Sequence, residues 1–228
     1  MIDFNTLLNY VTIHDVGLML LIWVIGGVLF NLIRWRSIIK VGVTHSNGER
    51  RLVSPLKALG RTLGHDVLLQ LDLRLCSSRK WISHMTVFWG FIILGLATTV
   101  NYLVNPTALP LSLSHPVRIL GNIGGFLFIF GLTMMIYERA SVPSSRRNTS
   151  RGDTFFIVLL YVVGLSGFMT EAASAINSTS MTFVTYWIHL ILTAGLFIVA
   201  PFSKFVHLLG RALLKFLENM EKSASIVR

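Results

Sequence analysis

Residues 81–104 read WISHMTVFWGFIILGLATTVNYLV, a run without a single Asp, Glu, Lys or Arg. About 20 helical residues cross a hydrocarbon core of roughly 30 Å, so this run is long enough to span a bilayer. It is continuously apolar, whereas a barrel strand alternates over about ten residues, and a helix is therefore expected. Four further runs read the same way: Val16 to Ile33, Val117 to Tyr137, Thr154 to Ala173 and Met181 to Leu209. The predicted fold is an all-α integral membrane bundle of five transmembrane helices in a single domain over 1–228. Gly90, Gly95, Gly121, Gly124, Gly125, Gly164 and Gly167 lie inside these runs, where small residues let neighbouring backbones approach.

Composition agrees with this reading. Hydrophobic residues make up 53% of the 228 positions, charged ones 13%, and mean hydropathy is +0.67. That is too apolar for an ordinary soluble domain of this size. The formal charge of +10 would suit nucleic acid only if the basic residues formed a patch on a soluble face, and they sort by loop instead. Ten lie between Arg34 and Lys80, four between Glu138 and Asp153, and five from Lys204 onward, leaving Arg118 alone on the other side. Cytoplasmic loops retain Lys and Arg, so the amino terminus is predicted outside and the carboxyl terminus inside. The start, MIDFNTLL, lacks a basic n-region and no A-x-A site follows, so the first run is expected to be an uncleaved span. Cys76 is the one cysteine, which excludes an internal disulfide, a CxxCH haem attachment and a cluster held by the chain's own thiolates.

Before the second span, SPLKALGRTLGHDVLLQLDLRL (54–75) places Leu56, Leu59, Leu63, Val67 and Leu71 at helical spacing beside charged positions. This predicts an interfacial amphipathic helix that either lies on anionic lipid or docks a soluble partner. The tail from Arg211 reads as a helix continuing into water.

Ionisable residues inside a span are costly and usually functional, which makes the histidines informative. His189 and His207 share the last apolar run, 18 residues apart. In one unbroken helix that is five whole turns, which would put both imidazoles on one face about 27 Å apart. His84 sits one turn inside the second span, at the depth expected for His207. Two imidazoles facing each other at one level are what six-coordinate haem b requires, with the macrocycle between apolar helices. Phe88, Trp89, Gly90 and Phe91 would wall it, and Arg74, Arg79, Lys80 and Lys204 are near enough in sequence to meet its propionates. The plainer alternative is a haem-free membrane anchor or assembly subunit whose histidines hydrogen-bond between helices. Zinc or copper would want three or four close ligands, and the pair offers two. His45 and His65 read as exposed.

YWIHL (186–190), the 18-residue spacing and PFSKFVH (201–207) resemble the two-histidine helix, ending in PFS-x-x-x-H, of the membrane cytochrome b subunit of respiratory nitrate reductases. RKWISHMTVFWGF (79–91) and GDTFFIVLLYVVGLSGFMTEA (152–172) resemble the second and fourth spans of its heterodisulfide-reductase-like and sulfite-reduction-associated relatives. The resemblance implies a prokaryotic plasma-membrane subunit in which His84 and His207 hold an inner haem b and His189 a second, outer one. Where the nitrate reductase branch has a second histidine ten residues after the first, this chain has Leu94, so His115 or His14 would complete the outer haem, or that haem would be held by His189 alone or be absent, leaving one haem. The resemblance further implies electron exchange between a quinone/quinol pool and a cytoplasmic iron–sulfur partner. Quinol oxidation near the outer haem needs proton acceptors, for which Glu171, Asp15 and His14 are the titratable candidates.

Overall fold

The computed structural model describes residues 10–46, 55–104, 111–143, 145, 149–203 and 205–225, without the side chains of 10–16, 36–46, 55, 205, 207–209 and 221–225. Among the described residues there is no strand. In chain order the helices are α1 (Tyr10–Ser46), α2 (Pro55–Arg61), a π-helical turn (Thr62–Leu68), α3 (Leu71–Cys76), α4 (Ser78–Val104), α5 (Pro116–Ser141), α6 (Arg151–Ala175), α7 (Thr179–Val199), a short 3₁₀ turn (Ala200–Phe202) and α8 (Phe205–Ser225). Five segments are long and apolar enough to cross a membrane: Gly17–Trp35, Ser78–Val104, Pro116–Ser141, Arg151–Ala175 and Thr179–Phe202. Large apolar side chains on them stand exposed, Ile22, Ile33, Phe126 and Leu103 among them. A surface that apolar is stable in contact with lipid and not with water, and the protein is a multi-pass membrane protein.

The chain divides into two compact units. The first comprises residues 1–22 and 82–198. Its interior is built on Phe128, Leu132, Ile157, Leu160, Val163 and Leu196. Helices α4 and α5 run antiparallel along a seam of small residues. Ser83 meets Gly131, Gly90 meets Gly124 and the Phe128 backbone, and Ala97 meets Gly121. A β-carbon on Gly90 would stand 2.6 Å from Phe128 N and 2.8 Å from Gly124 O, so only glycine permits this crossing. On its other side α5 packs on α6, with Gly125 against the Phe168 ring, Gly164 against Ile129, and Thr133 within 3.3 Å of the Tyr161 hydroxyl. Two caps fix the helix starts. Ser150 and Asp153 exchange side-chain bonds with each other's backbone N–H at 3.2 and 3.0 Å in a capping box at α6. Pro116 occupies the first turn of α5 behind His115.

The second unit comprises 23–81 and 199–228. The amphipathic stretch expected as one helix is three pieces. An i→i−5 bond from Leu69 N to Gly64 O at 3.1 Å widens the middle into a π turn, and Gln70, at φ 46°, ends it before α3 begins. Ala58 and Thr62 turn inward while Leu56, Leu59 and Leu63 stay exposed, so the apolar stripe is the outer face of this element. Its inner face is polar. Asn219, itself 5% exposed, donates from Nδ2 to Thr62 Oγ1 at 2.9 Å and to Asp66 Oδ2 at 2.8 Å, tying α8 to the π turn.

The last apolar run differs most from expectation. It is not one helix to Leu209: α7 ends at Val199, residues 200–202 tighten to 3₁₀, and Ser203 is extended (φ −98°, ψ 179°) before α8 starts at Phe205. Pro201 has no N–H for the ladder, and its ring would collide with the preceding turn. Its carbonyl is taken up by Asn31 Nδ2 at 3.0 Å, which also donates to Gly27 O at 2.8 Å. The Pro201 ring fills the notch that Gly27 leaves. The five-turn argument that placed His189 and His207 on one helical face therefore does not hold, and the tail helix begins before Arg211.

Candidate functional site

Two polar constellations lie within the first unit. The first centres on His189, in the middle of α7. Its Nδ1 is 2.9 Å from the Ser166 hydroxyl on α6, and that hydroxyl donates to Val163 O at 2.8 Å. Gly167, the next residue of α6, lies beneath the ring: a β-carbon there would stand 3.3 Å from His189 Cε1. The imidazole thus rests on a glycine notch with one nitrogen tethered. Nε2 has no hydrogen-bond partner among the described residues.

The second joins α5 to α6 near the loop end opposite Glu138. Arg118 Nε donates to Glu171 Oε1 at 2.8 Å and Oε2 at 3.0 Å. Arg118 also binds Leu111 O and, at 3.1 Å, Ser174 Oγ, while Asn122 Nδ2 donates to Glu171 Oε1 at 3.0 Å. The guanidinium is 11% exposed and the carboxylate 27%, so the pair is largely removed from solvent. Such a pair persists when its remaining donors and acceptors are also engaged, as they are here. Asn122 also lines a shallow apolar groove on α5 with Ile119, Ile123, Phe126 and Leu127.

The other expected site residues lie on several helices. His115 caps α5, its Nδ1 accepting from Val117 N at 3.3 Å, which spends that lone pair and puts the ring proton of the neutral form on Nε2. In this rotamer it offers no free nitrogen to an iron. His84 is exposed on α4, next to the seam residue Ser83. His207 lies on α8 and His14 and Asp15 on α1, and the side chains of all three fall outside the described residues. His84 belongs to the first unit and His207 to the second. Arg74, one of the residues expected near propionates, lies over the Trp81 ring at 5.1 Å, and Trp81 Nε1 donates to Leu69 O at 2.8 Å. As a test of the haem expectation, His189 suits a ligand, with Nδ1 tethered and Nε2 without a partner among the described residues, while His115 has Nδ1 spent in the helix cap.

His65 is half-buried, not exposed as expected, and its Nδ1 lies 2.9 Å from Asp66 Oδ1. With Asp72 these residues bring three potential metal ligands within 4.8 Å of one another. Each carboxylate already has a partner, Asp66 in His65 and Asn219 and Asp72 in Lys215 Nζ at 2.7 Å, so the group reads as a hydrogen-bond hub. The Lys215 ammonium, by hydrogen bond and then by charge, holds the Asp72 carboxyl below the usual carboxylate range.

Arg118, Asn122, Ser166 and Gly167 were not anticipated as site residues. Arg118 had a legible signal, being the one basic residue on its side, with Asn122 a turn away. Ser166 had none, because a serine in an apolar helix usually bonds its own backbone.

No curated protein and no solved structure matches the chain. Residues 2–225 match the family described as citrate utilization protein B, and the chain belongs to this CitB family.

Proposed function

We propose that this protein is a b-type cytochrome membrane subunit that exchanges electrons between a quinone/quinol pool and an iron–sulfur partner on the basic side of the membrane. The observation that carries the reading is His189, an intramembrane imidazole tethered through Nδ1 to Ser166 and seated on Gly167, with Nε2 uncommitted. Bound haem b would supply one-electron chemistry that no side chain of this chain supplies. His189 would hold it by Nε2. The resemblance to cytochrome b subunits adds His84 and His207 as the pair for an inner haem. A family described by citrate utilization suits an electron-transfer subunit whose substrate chemistry is done by another polypeptide.

On the quinone side, the groove beside Asn122 is apolar along its length and polar at one edge, which suits a prenylated ring. Of the residues expected to accept quinol protons, Glu171 lies with both carboxylate oxygens on Arg118 Nε, beside the groove-lining Asn122. On the other side, basic residues between Arg34 and Lys80 and between Glu138 and Asp153 would receive the partner, with the amino terminus on the opposite face of the bilayer.

The hydrogen bond between His189 and Ser166 also favours a second reading, the haem-free anchor or assembly subunit, in which that bond only packs α7 on α6. One measurement separates the two. Protein purified from haem-replete cells should give a reduced-minus-oxidised b-type spectrum, with a pyridine haemochrome yield of one or two haems per chain and a loss of signal in His189→Ala. A colourless preparation overturns the cytochrome reading.

A further inference from the structure

Proton counting at Ser166 fixes more than a contact. A serine hydroxyl carries one proton, and the Ser166 oxygen stands 2.8 Å from Val163 O on the same helix, an acceptor that only this proton can serve. With that proton given to Val163 O, the oxygen accepts toward His189, and across the 2.9 Å contact Nδ1 carries the ring proton. The reverse arrangement, with the hydroxyl donating to Nδ1, would move the ring proton to Nε2, which has no acceptor among the described residues. An unsatisfied donor in an apolar span is disfavoured by about tenfold or more in population. Ser166 is 4% exposed, so water does not compete for its oxygen.

We propose that Ser166 is a positioning residue: it sets His189 as the Nδ1–H tautomer and so presents the Nε2 lone pair to an iron centre, while Gly167 sets the tilt of the ring by having no β-carbon. The inference rests on the cytochrome reading for its purpose and on geometry for its content. A hydrogen bond from the distal nitrogen of a ligating imidazole makes the ligand more basic and restrains its rotation.

The test uses the full chain in lipid nanodiscs, labelled with ¹⁵N-histidine and produced under haem depletion, with the His189 signals identified by their loss in His189→Asn. Two-bond ¹H–¹⁵N correlation is expected to find Nδ1 protonated and Nε2 bare. Ser166→Ala should lose that preference, giving a mixture or the Nε2–H form, and Ser166→Thr, which keeps the hydroxyl, should retain it. An Nε2–H tautomer in the unsubstituted protein, or a tautomer indifferent to Ser166→Ala, overturns the proposal. In haem-loaded protein Ser166→Ala should raise the midpoint potential, because a less basic imidazole favours ferric iron less, while Ser166→Thr leaves it close to the original. An unchanged potential in Ser166→Ala overturns the positioning role. A colourless preparation sinks the cytochrome reading by itself and leaves the tautomer result standing, so the two fail separately.

Discussion

Arg118 grips Glu171 through a single nitrogen: Nε reaches Oε1 at 2.8 Å and Oε2 at 3.0 Å, which leaves the two terminal nitrogens free to bind Leu111 O and Ser174 Oγ. One side chain thereby fastens the start of α5 to the end of α6 and to the segment before α5. Removing the cation strands a carboxylate that is 27% exposed beside an apolar surface. Arg118→Met is expected to lower stability by about 2–4 kcal/mol, near the range for breaking a buried pair. Glu171→Gln keeps an oxygen for Asn122 and Arg118 and should cost about 1–2 kcal/mol. Thermal unfolding in detergent measures both, and a Gln variant as unstable as the Met variant would mean that charge, not hydrogen bonding, holds the clamp.

Two glycines on α4 make a matched comparison. A β-carbon on Gly90 would stand 2.6 Å from Phe128 N, where backbone cannot yield cheaply, whereas Gly95 has nothing within 4 Å. Gly90→Ala should separate α4 from α5 and cost about 2–3 kcal/mol, the usual range for overpacking. Gly95→Ala should be neutral or stabilise by up to about 1 kcal/mol through helix propensity. Melting temperatures of the two variants decide it, and equal values would contradict the seam.

The five spans were legible because their signal is local: runs of apolar residues of bilayer length need no knowledge of tertiary contacts. The Val117–Tyr137 expectation became Pro116–Ser141 and Thr154–Ala173 became Arg151–Ala175, differences of a turn at the polar ends where caps decide. What the sequence hid was cooperative. Pro201 was visible, yet a proline can remain inside a membrane helix, and the Asn31 amide that takes up the Pro201 carbonyl where the helix breaks stands 170 residues away. The Leu56–Leu71 stripe was read correctly as apolar, but its π turn depends on how Thr62 and Asp66 meet Asn219, a pairing set by α8. Among the site residues, His189 stood out because it is ionisable within a span, whereas its Ser166 and Gly167 supports look like ordinary small residues of a packed helix.

Asn219 is the link whose loss should be most visible within the second unit. Its amide serves both Thr62 and Asp66, so Asn219→Leu would leave a hydroxyl and a carboxylate unmatched on a buried face. The expected cost is about 2–3 kcal/mol. Asn219→Asp should be at least as harmful, because it sets a second carboxylate against Asp66. Hydrogen exchange should rise in residues 62–68 and in α8 of either variant, while α5 and α6 keep their protection; uniform loosening of all helices would refute so local a role.

The contact between Lys215 and Asp72 gives the same unit a pH window. Lys215 hydrogen-bonds Asp72 and depresses its proton affinity, with further help from the charges of His65 and Arg211 against the opposing effect of burial. Hydrogen bonds to Asp72 and then Glu218 raise the affinity of Lys215 itself. A carboxyl whose folded value is depressed contributes stability that is present above its unfolded value, about 4, and is lost as pH falls through the folded value. An ammonium whose folded value is raised contributes stability that is present below about 10.4 and is lost as pH rises through the folded value. The side chains are 38% and 25% exposed, so screening holds the contribution to about 0.2–1 kcal/mol. Asp72→Asn should therefore be less stable than the unsubstituted protein by that small amount from about pH 5 to 9. The difference should close as pH falls through the depressed folded value of Asp72, below which both side chains are neutral. A gap that persisted in acid would mean that the carboxylate's charge is not what Lys215 recognises.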